Sequence, residues 1–128
     1  MILFLDTSTP VCHLTLMIVD AHFAYDWQAD RTLARDLLAY LRDRLADHGL
    51  GLQDIEGIGV MKGPGSFTGL RIGATVANTL ARELDIPIVG AVGETWQNDA
   101  LGRLKLGESD ELVLPDYGRP ARITTPKK

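Results

Sequence analysis

The apolar positions of this chain change period along its length. Residues 2–5 and 12–19 are short apolar runs of strand-forming side chains, separated by the polar turn cluster Asp6-Thr7-Ser8-Thr9-Pro10. Residues 22–29 alternate, with Phe23, Tyr25 and Trp27 set against Ala24, Asp26 and Gln28, as in a strand with one covered face. Asp20-Ala21-His22 reads as the hairpin turn leading into it. From residue 32 to 48 the period lengthens, and Leu33, Leu37, Leu38, Leu41 and Leu45 recur at helical spacing. Asp30 or Thr32 is placed to cap that helix and Gly49 to end it. Residues 55–61 form the next strand candidate, 67–84 a second helix closed by Pro87, 88–92 another strand and 94–104 a third helix. Residues 112–114 read as a last edge strand, and Pro115, Pro120 and Pro126 keep the end of the chain extended.

Three strands followed by alternating helices and strands predict an α/β fold: a mixed sheet of about five strands with flanking helices. At 128 residues the chain holds one lobe, over residues 1–105, with an extended segment over 106–128. The net charge of −4 does not suit an independent nucleic-acid binder, since neutralising phosphates takes clustered Lys and Arg. Arg119, Arg122, Lys127 and Lys128 make the tail locally basic, which reads as a solvated terminus. Cys12 is alone, so no intrachain disulfide can form. The first residues lack a basic n-region and the run over 14–19 is too short to cross a bilayer, so the chain reads as a soluble cytoplasmic protein.

The most informative stretch is KGPGSFTGLRIG, residues 62–73, placed between a strand and a helix. Such a turn is a natural anion site, because free N–H groups and the helix dipole converge on it. Gly63, Gly65 and Gly69 would admit a ligand close to backbone, Ser66 could cap the helix, and Asp6 stands at a neighbouring strand end. The spacing fits no familiar phosphate loop. Leu70 stands where a Walker A loop needs Lys, the glycines are one residue too far apart for a dinucleotide fingerprint, and Pro64 removes a donor. Two readings are open from the residues: a phosphate site, or a tight strand-to-helix turn.

Catalytic signals are thin. Ser66 lacks the flanking glycines of a nucleophile elbow, and His13, His22 and His48 have no metal-ligand spacing. Cys12 reads as a packed thiol. No acid–base pair, metal or cofactor is expected.

Residues 2–9 (ILFLDTST), 62–73 and 87–90 (PIVG) together closely resemble the TsaB family, also called YeaZ, over about residues 1–95. The resemblance implies an actin-like, Hsp70-like (ASKHA) N-terminal lobe and a non-catalytic partner of TsaD. In the family, TsaD transfers threonylcarbamoyl to adenosine 37 of tRNA, and the ATPase TsaE joins the complex. Contact with tRNA is then indirect, and a homodimer is expected when the subunit is alone. Family members usually carry a second lobe, whereas here Pro115, Tyr117 and Arg119 resemble the family's closing segment soon after Trp96. The middle therefore reads as deleted, and an interlobe nucleotide cleft is not expected. The rival reading keeps a nucleotide-binding enzyme or sensor that uses Asp6, Gly63, Gly65, Ser66 and Gly69.

The family's partner contact uses the first two helices. On the second, Arg71, Thr75, Asn78 and Arg82 fall on one stripe, and Gly73 and Ala74 would let another helix approach. On the first, Leu33, Leu37 and Leu41 line up in steps of four. These residues are the expected docking face for TsaD or a second copy, with the glycine loop placing the second helix.

Overall fold

The computed structural model describes residues 1–117. Five strands and three helices follow in the order β1 (Ile2–Asp6), β2 (Val11–Ile18), β3 (Ala21–Gln28), α1 (Leu33–Ala46), β4 (Gly57–Gly63), α2 (Phe67–Leu84), β5 (Ile88–Val92) and α3 (Trp96–Lys105). The strands lie in one sheet in the order β3-β2-β1-β4-β5. β1–β2 and β2–β3 are antiparallel, while β1–β4 and β4–β5 are parallel, so the sheet is mixed. The parallel pairs are joined through helices, as the connection length requires. This is the single α/β lobe that the resemblance implies.

The two faces of the sheet are covered unequally. Leu3, Leu5, Cys12, Leu14, Leu16, Ile58, Val60 and Ile88 form a core with the inner faces of α1 and α2. Among the described residues α3 covers the opposite face, where Ala100, Trp96, Leu101 and Leu104 pack around Phe4, Val89 and Ala91. Gly59 permits that approach, since a Cβ there would press on the Phe4 ring and on Ala100.

Helix ends follow local chemistry. Gly49, at φ 72°, ends α1, with its own N–H on the Ala46 carbonyl and the Leu50 N–H on the Leu45 carbonyl. Thr32 gives α1 no side-chain cap; its hydroxyl instead donates to the Ala29 carbonyl at 2.8 Å, across a short 3-10 turn at Asp30–Thr32. Asp85, not Pro87, stops α2 by entering the left-handed region at φ 54°.

Three further sequence expectations differ from the structure. The hairpin turn is Val19-Asp20, one residue earlier than expected, which shifts β2 and β3 with it. β4 starts at Gly57, because residues 52–54 form a 3-10 turn closed by the Asp54 carboxylate on the Gly51 N–H. Residues 112–114 are not a strand. From residue 106 to 117 the chain has no helix or strand and lies against the lobe as a strap. Its hydrogen bonds go elsewhere than to a ladder: the Asn78 amide donates to the Val113 carbonyl and accepts from the Val113 N–H, at 2.9 and 2.8 Å. Arg103 grips Asp110 through two nitrogens and also bonds Glu108 and the Gly90 carbonyl. The basic residues of the tail lie outside the described residues.

Candidate functional site

The glycine loop is closed from within. β1 ends at Asp6, whose Oδ1 accepts from both the N–H and the hydroxyl of Ser8, at 2.9 and 2.6 Å, and so folds the turn back on itself. That turn sits on the start of α2. The Ser66 N–H donates to the Ser8 carbonyl at 2.8 Å, and the buried Thr7 hydroxyl donates to the Gly69 carbonyl at 2.7 Å. Ser66 caps α2 as the sequence suggested, its Oγ accepting from the Gly69 N–H at 3.3 Å.

The glycines explain the closeness of that contact. A Cβ on Gly65 would strike Ser8, one on Gly69 the Thr7 carbonyl, and one on Gly73 the Thr7 side chain. Gly63 holds φ at 145°, where a side chain is strained, and abuts the Asp116 carbonyl of the strap. Gly73 therefore accommodates Thr7 rather than a second helix, and Ala74 is likewise buried inside the lobe.

Two depressions flank the loop. Asp6 lines one of about 520 Å³ with Met61, Pro64, Gly93, Glu94 and Trp96, where a phosphate would meet two carboxylates and no cation. The other, of about 690 Å³, lies between the β1–β2 turn, the start of α1 and the start of α2. Cys12 stands at its floor but is 1% exposed, and burial first, then Asp6 and Asp26, push its thiol up to about 12. It is a packed thiol in an inert environment. His13 pairs with Asp26 at 2.6 Å and His48 with the Tyr25 hydroxyl at 2.6 Å, on different parts of the surface. Among the described residues no group of three or more His, Cys, Asp and Glu could hold a metal ion. Nor is any described helix long and apolar enough to cross a membrane.

The expected docking residues divide into two groups. Leu33, Leu37 and Leu41, with Leu45, are buried against the sheet, so the leucine row of α1 is core and does not face a partner. The sequence could not separate the rows at spacing four from their neighbour Leu38, because both repeat helically. It is Leu38 that is exposed, at 41%. On α2, Arg71, Thr75 and Arg82 are exposed, but Asn78 is half-buried and committed to Val113. Nothing in the sequence links Asn78 to residue 113, since that pairing is long-range and made by a side chain.

What remains open is the seam between the two helices. An outward depression of about 330 Å³ is lined by Ala34 of α1 and by Thr68, Arg71, Ile72, Thr75 and Val76 of α2. Its floor is apolar and its rim carries Arg71, whose guanidinium lies 5.5 Å from the Phe67 ring, itself stacked on Tyr117 at 4.5 Å. Neither Arg71 nor Arg82 has a carboxylate partner among the described residues. The seam thus combines an apolar floor with one exposed cation, Arg71, at its rim.

The comparisons bear on the same elements. The family model for TsaD, tRNA N6-adenosine threonylcarbamoyltransferase, matches residues 27–92, from the end of β3 through β5. The tRNA threonylcarbamoyladenosine biosynthesis protein TsaB of Haemophilus influenzae is 38% identical over 88 residues, 69% of this chain and 37% of that protein. TsaB of Bacillus subtilis is 40% identical over 117 residues, 91% of this chain and 49% of that protein. Among solved structures, YeaZ from Pseudomonas aeruginosa superposes with a TM-score of 0.67 at 34% identity, over 71% of this chain and 43% of that one. The chain thus spans between about a third and half of the length of these relatives. The family model spans α1, β4, the glycine turn, α2 and β5, and with these relatives it shows that the chain belongs to the TsaB (YeaZ) family.

Proposed function

We propose that this chain is a non-catalytic scaffold subunit that docks on TsaD and supports threonylcarbamoylation of adenosine 37 in tRNA. The observation that carries this reading is the open seam between α1 and α2, lined by the apolar Ile72 and Val76 and by the exposed Arg71; Arg82 is exposed further along the same helix, beside a separate depression. Leu38 extends the apolar surface onto α1. Buried apolar contact gives such an interface its affinity, while rim arginines set orientation and association rate. The names of the relatives, and the match to the TsaD family model, support the choice of partner.

The packing of the glycine loop supports a scaffold over a nucleotide enzyme. Gly63, Gly65 and Gly69 are occupied by Asp116, Ser8 and Thr7, and the loop's donors at Ser66 and Gly69 are spent within the chain. The loop's work is then to fix where α2 starts, and so where Arg71 and Thr75 point. Reconstitution of threonylcarbamoyl transfer on tRNA by TsaD, with and without this chain, tests the proposal. Transfer that depends on added chain is the expected result, and a rate unchanged by its omission would overturn it.

A further inference from the structure

The strap over residues 106–117 leaves the end of α3 and finishes at the start of α2, fastened along its way. The Asp110 N–H donates to the Ile88 carbonyl at 2.7 Å, and the Asp110 carboxylate accepts from the Gly90 N–H at 2.8 Å. Val113 is buried and bonded through both backbone groups to the Asn78 amide. At its end the strap brackets the glycine loop. The Asp116 N–H donates to the Lys62 carbonyl at 2.6 Å before the loop, and the Tyr117 ring lies on the Phe67 ring after it.

The last of these contacts reaches the seam. Phe67 is the first residue of α2 and is 58% exposed, a placement that leaves its ring several rotamers unless a neighbour covers it. Tyr117 covers it, with the ring planes 22° apart and the centroids at 4.5 Å. One helical turn on, at the i+4 position, Arg71 lays its guanidinium over the same ring, 5.5 Å from the centroid. Arg71 also lines the seam, beside Ile72 and Thr75. Tyr117, Phe67 and Arg71 thus form a chain of contacts from the strap to the rim of the seam.

We propose that the strap is a latch on the docking surface: Tyr117 fixes the Phe67 ring, the ring holds the Arg71 guanidinium at the rim of the seam, and unfastening Tyr117 weakens docking without unfolding the lobe. The inference rests on the scaffold reading above and adds a means of regulating it. Arg71 is long and exposed, with no carboxylate partner among the described residues, so unheld it spreads over many rotamers that docking must restrict. A guanidinium already seated on a ring loses less freedom, so the latch acts by preorganisation rather than by a partner contact of its own. Neither Tyr117 nor Phe67 belongs to the core on either face of the sheet, which is why the lobe stands without the stack.

Nuclear magnetic resonance of the Arg71 side chain and calorimetric titration into TsaD test the latch together, with Tyr117→Ala, Tyr117→Phe and Arg71→Ala beside the parent chain. In the chain alone the ring current of Phe67 displaces the Arg71 Hδ and Hε resonances. Tyr117→Ala is expected to return them towards the position of a free arginine, and Tyr117→Phe, which keeps the stack, to restore the parent position, with the melting temperature close to that of the parent throughout. In the titration Tyr117→Ala is expected to weaken binding about three- to tenfold, Tyr117→Phe to rescue it, and Tyr117→Ala to add nothing once Arg71 is replaced by Ala. Arg71 resonances indifferent to Tyr117→Ala, equal affinity of Tyr117→Ala and the parent, or the same loss with and without Arg71 would each overturn the latch. A parent chain that does not bind TsaD would overturn the scaffold reading and the latch's part in docking, a failure told apart from loss of the latch itself by Arg71 resonances that still respond to Tyr117→Ala.

Discussion

Replacing Gly69 by Ala tests whether the glycine loop is a packing device. Elsewhere in a helix that change gains about 0.5–1 kcal/mol, because glycine is the poorer helix former. At Gly69 the added methyl would collide with the Thr7 carbonyl, a backbone atom that cannot rotate away. Relief requires moving the β1–β2 turn, at a cost of about 1–3 kcal/mol for overpacking. The same movement stretches the buried hydrogen bond from the Thr7 hydroxyl to the Gly69 carbonyl, worth about 1–3 kcal/mol once its partner is lost. The expected balance is a loss of roughly 3 kcal/mol, a large share of the 5–15 kcal/mol typical of a domain. In urea, with slopes of about 1–3 kcal/mol/M, the midpoint falls by about 1–3 M. Gly102→Ala is the control: it lies within α3, a Cβ there meets nothing within 4 Å, and it is expected to stabilise by about 0.5–1 kcal/mol. If Gly69→Ala matched the parent chain, or gained stability as Gly102→Ala should, the intramolecular account of the loop would fail.

Other consequences follow from single contacts. Val19 sits in the hairpin turn at φ 56° and is 83% exposed, so Val19→Gly removes strain without removing packing and should raise stability by about 1 kcal/mol in the same urea assay. Arg103 holds the Asp110 carboxyl below the usual carboxylate range, against the opposing effect of burial and with help from the Gly90 N–H. Because the folded value lies below the unfolded one, this contribution is fully present above about pH 4 and is lost as pH falls through the folded value. Arg103→Met should therefore cost about 1–3 kcal/mol at neutral pH and flatten the acid limb of the stability profile, as melts across pH would show. The Cys12 thiol, held up to about 12 by burial, should resist a thiol reagent at pH 8 until the chain unfolds; prompt labelling of the native protein would contradict its placement.

Much of the architecture was legible in the sequence, because it rests on local periodicity. The bounds of α2 and β5 match the pattern residue for residue, since Ser66 caps one, and Pro87 and Gly93 bracket the other. The hairpin turn was misplaced because Val19, a β-branched residue, occupies a left-handed position that the sequence rules assign to Gly or Asn. The site was less legible. Helical spacing shows which leucines share a row but not which row faces the sheet, so the expectation that Leu33, Leu37 and Leu41 face a partner fails: they are core. The strap escaped altogether: Asn78–Val113 and Arg103–Asp110 are side-chain contacts, and no periodic signal encodes them. By contrast, the reading of the glycine loop as a means of placing α2 agrees with contacts that only coordinates could supply, namely Thr7 and Ser8 filling the space beside Gly65, Gly69 and Gly73.

The scaffold reading is tested most directly by calorimetric titration of the chain into purified TsaD, comparing the parent sequence with Arg71→Glu/Arg82→Glu. Both arginines are exposed and neither has a carboxylate partner among the described residues, so the double reversal should leave the fold's melting temperature nearly unchanged. The account predicts saturable one-to-one binding by the parent and an affinity at least about tenfold weaker for the reversed pair. Absence of binding by the parent, or equal affinity for both, would contradict it.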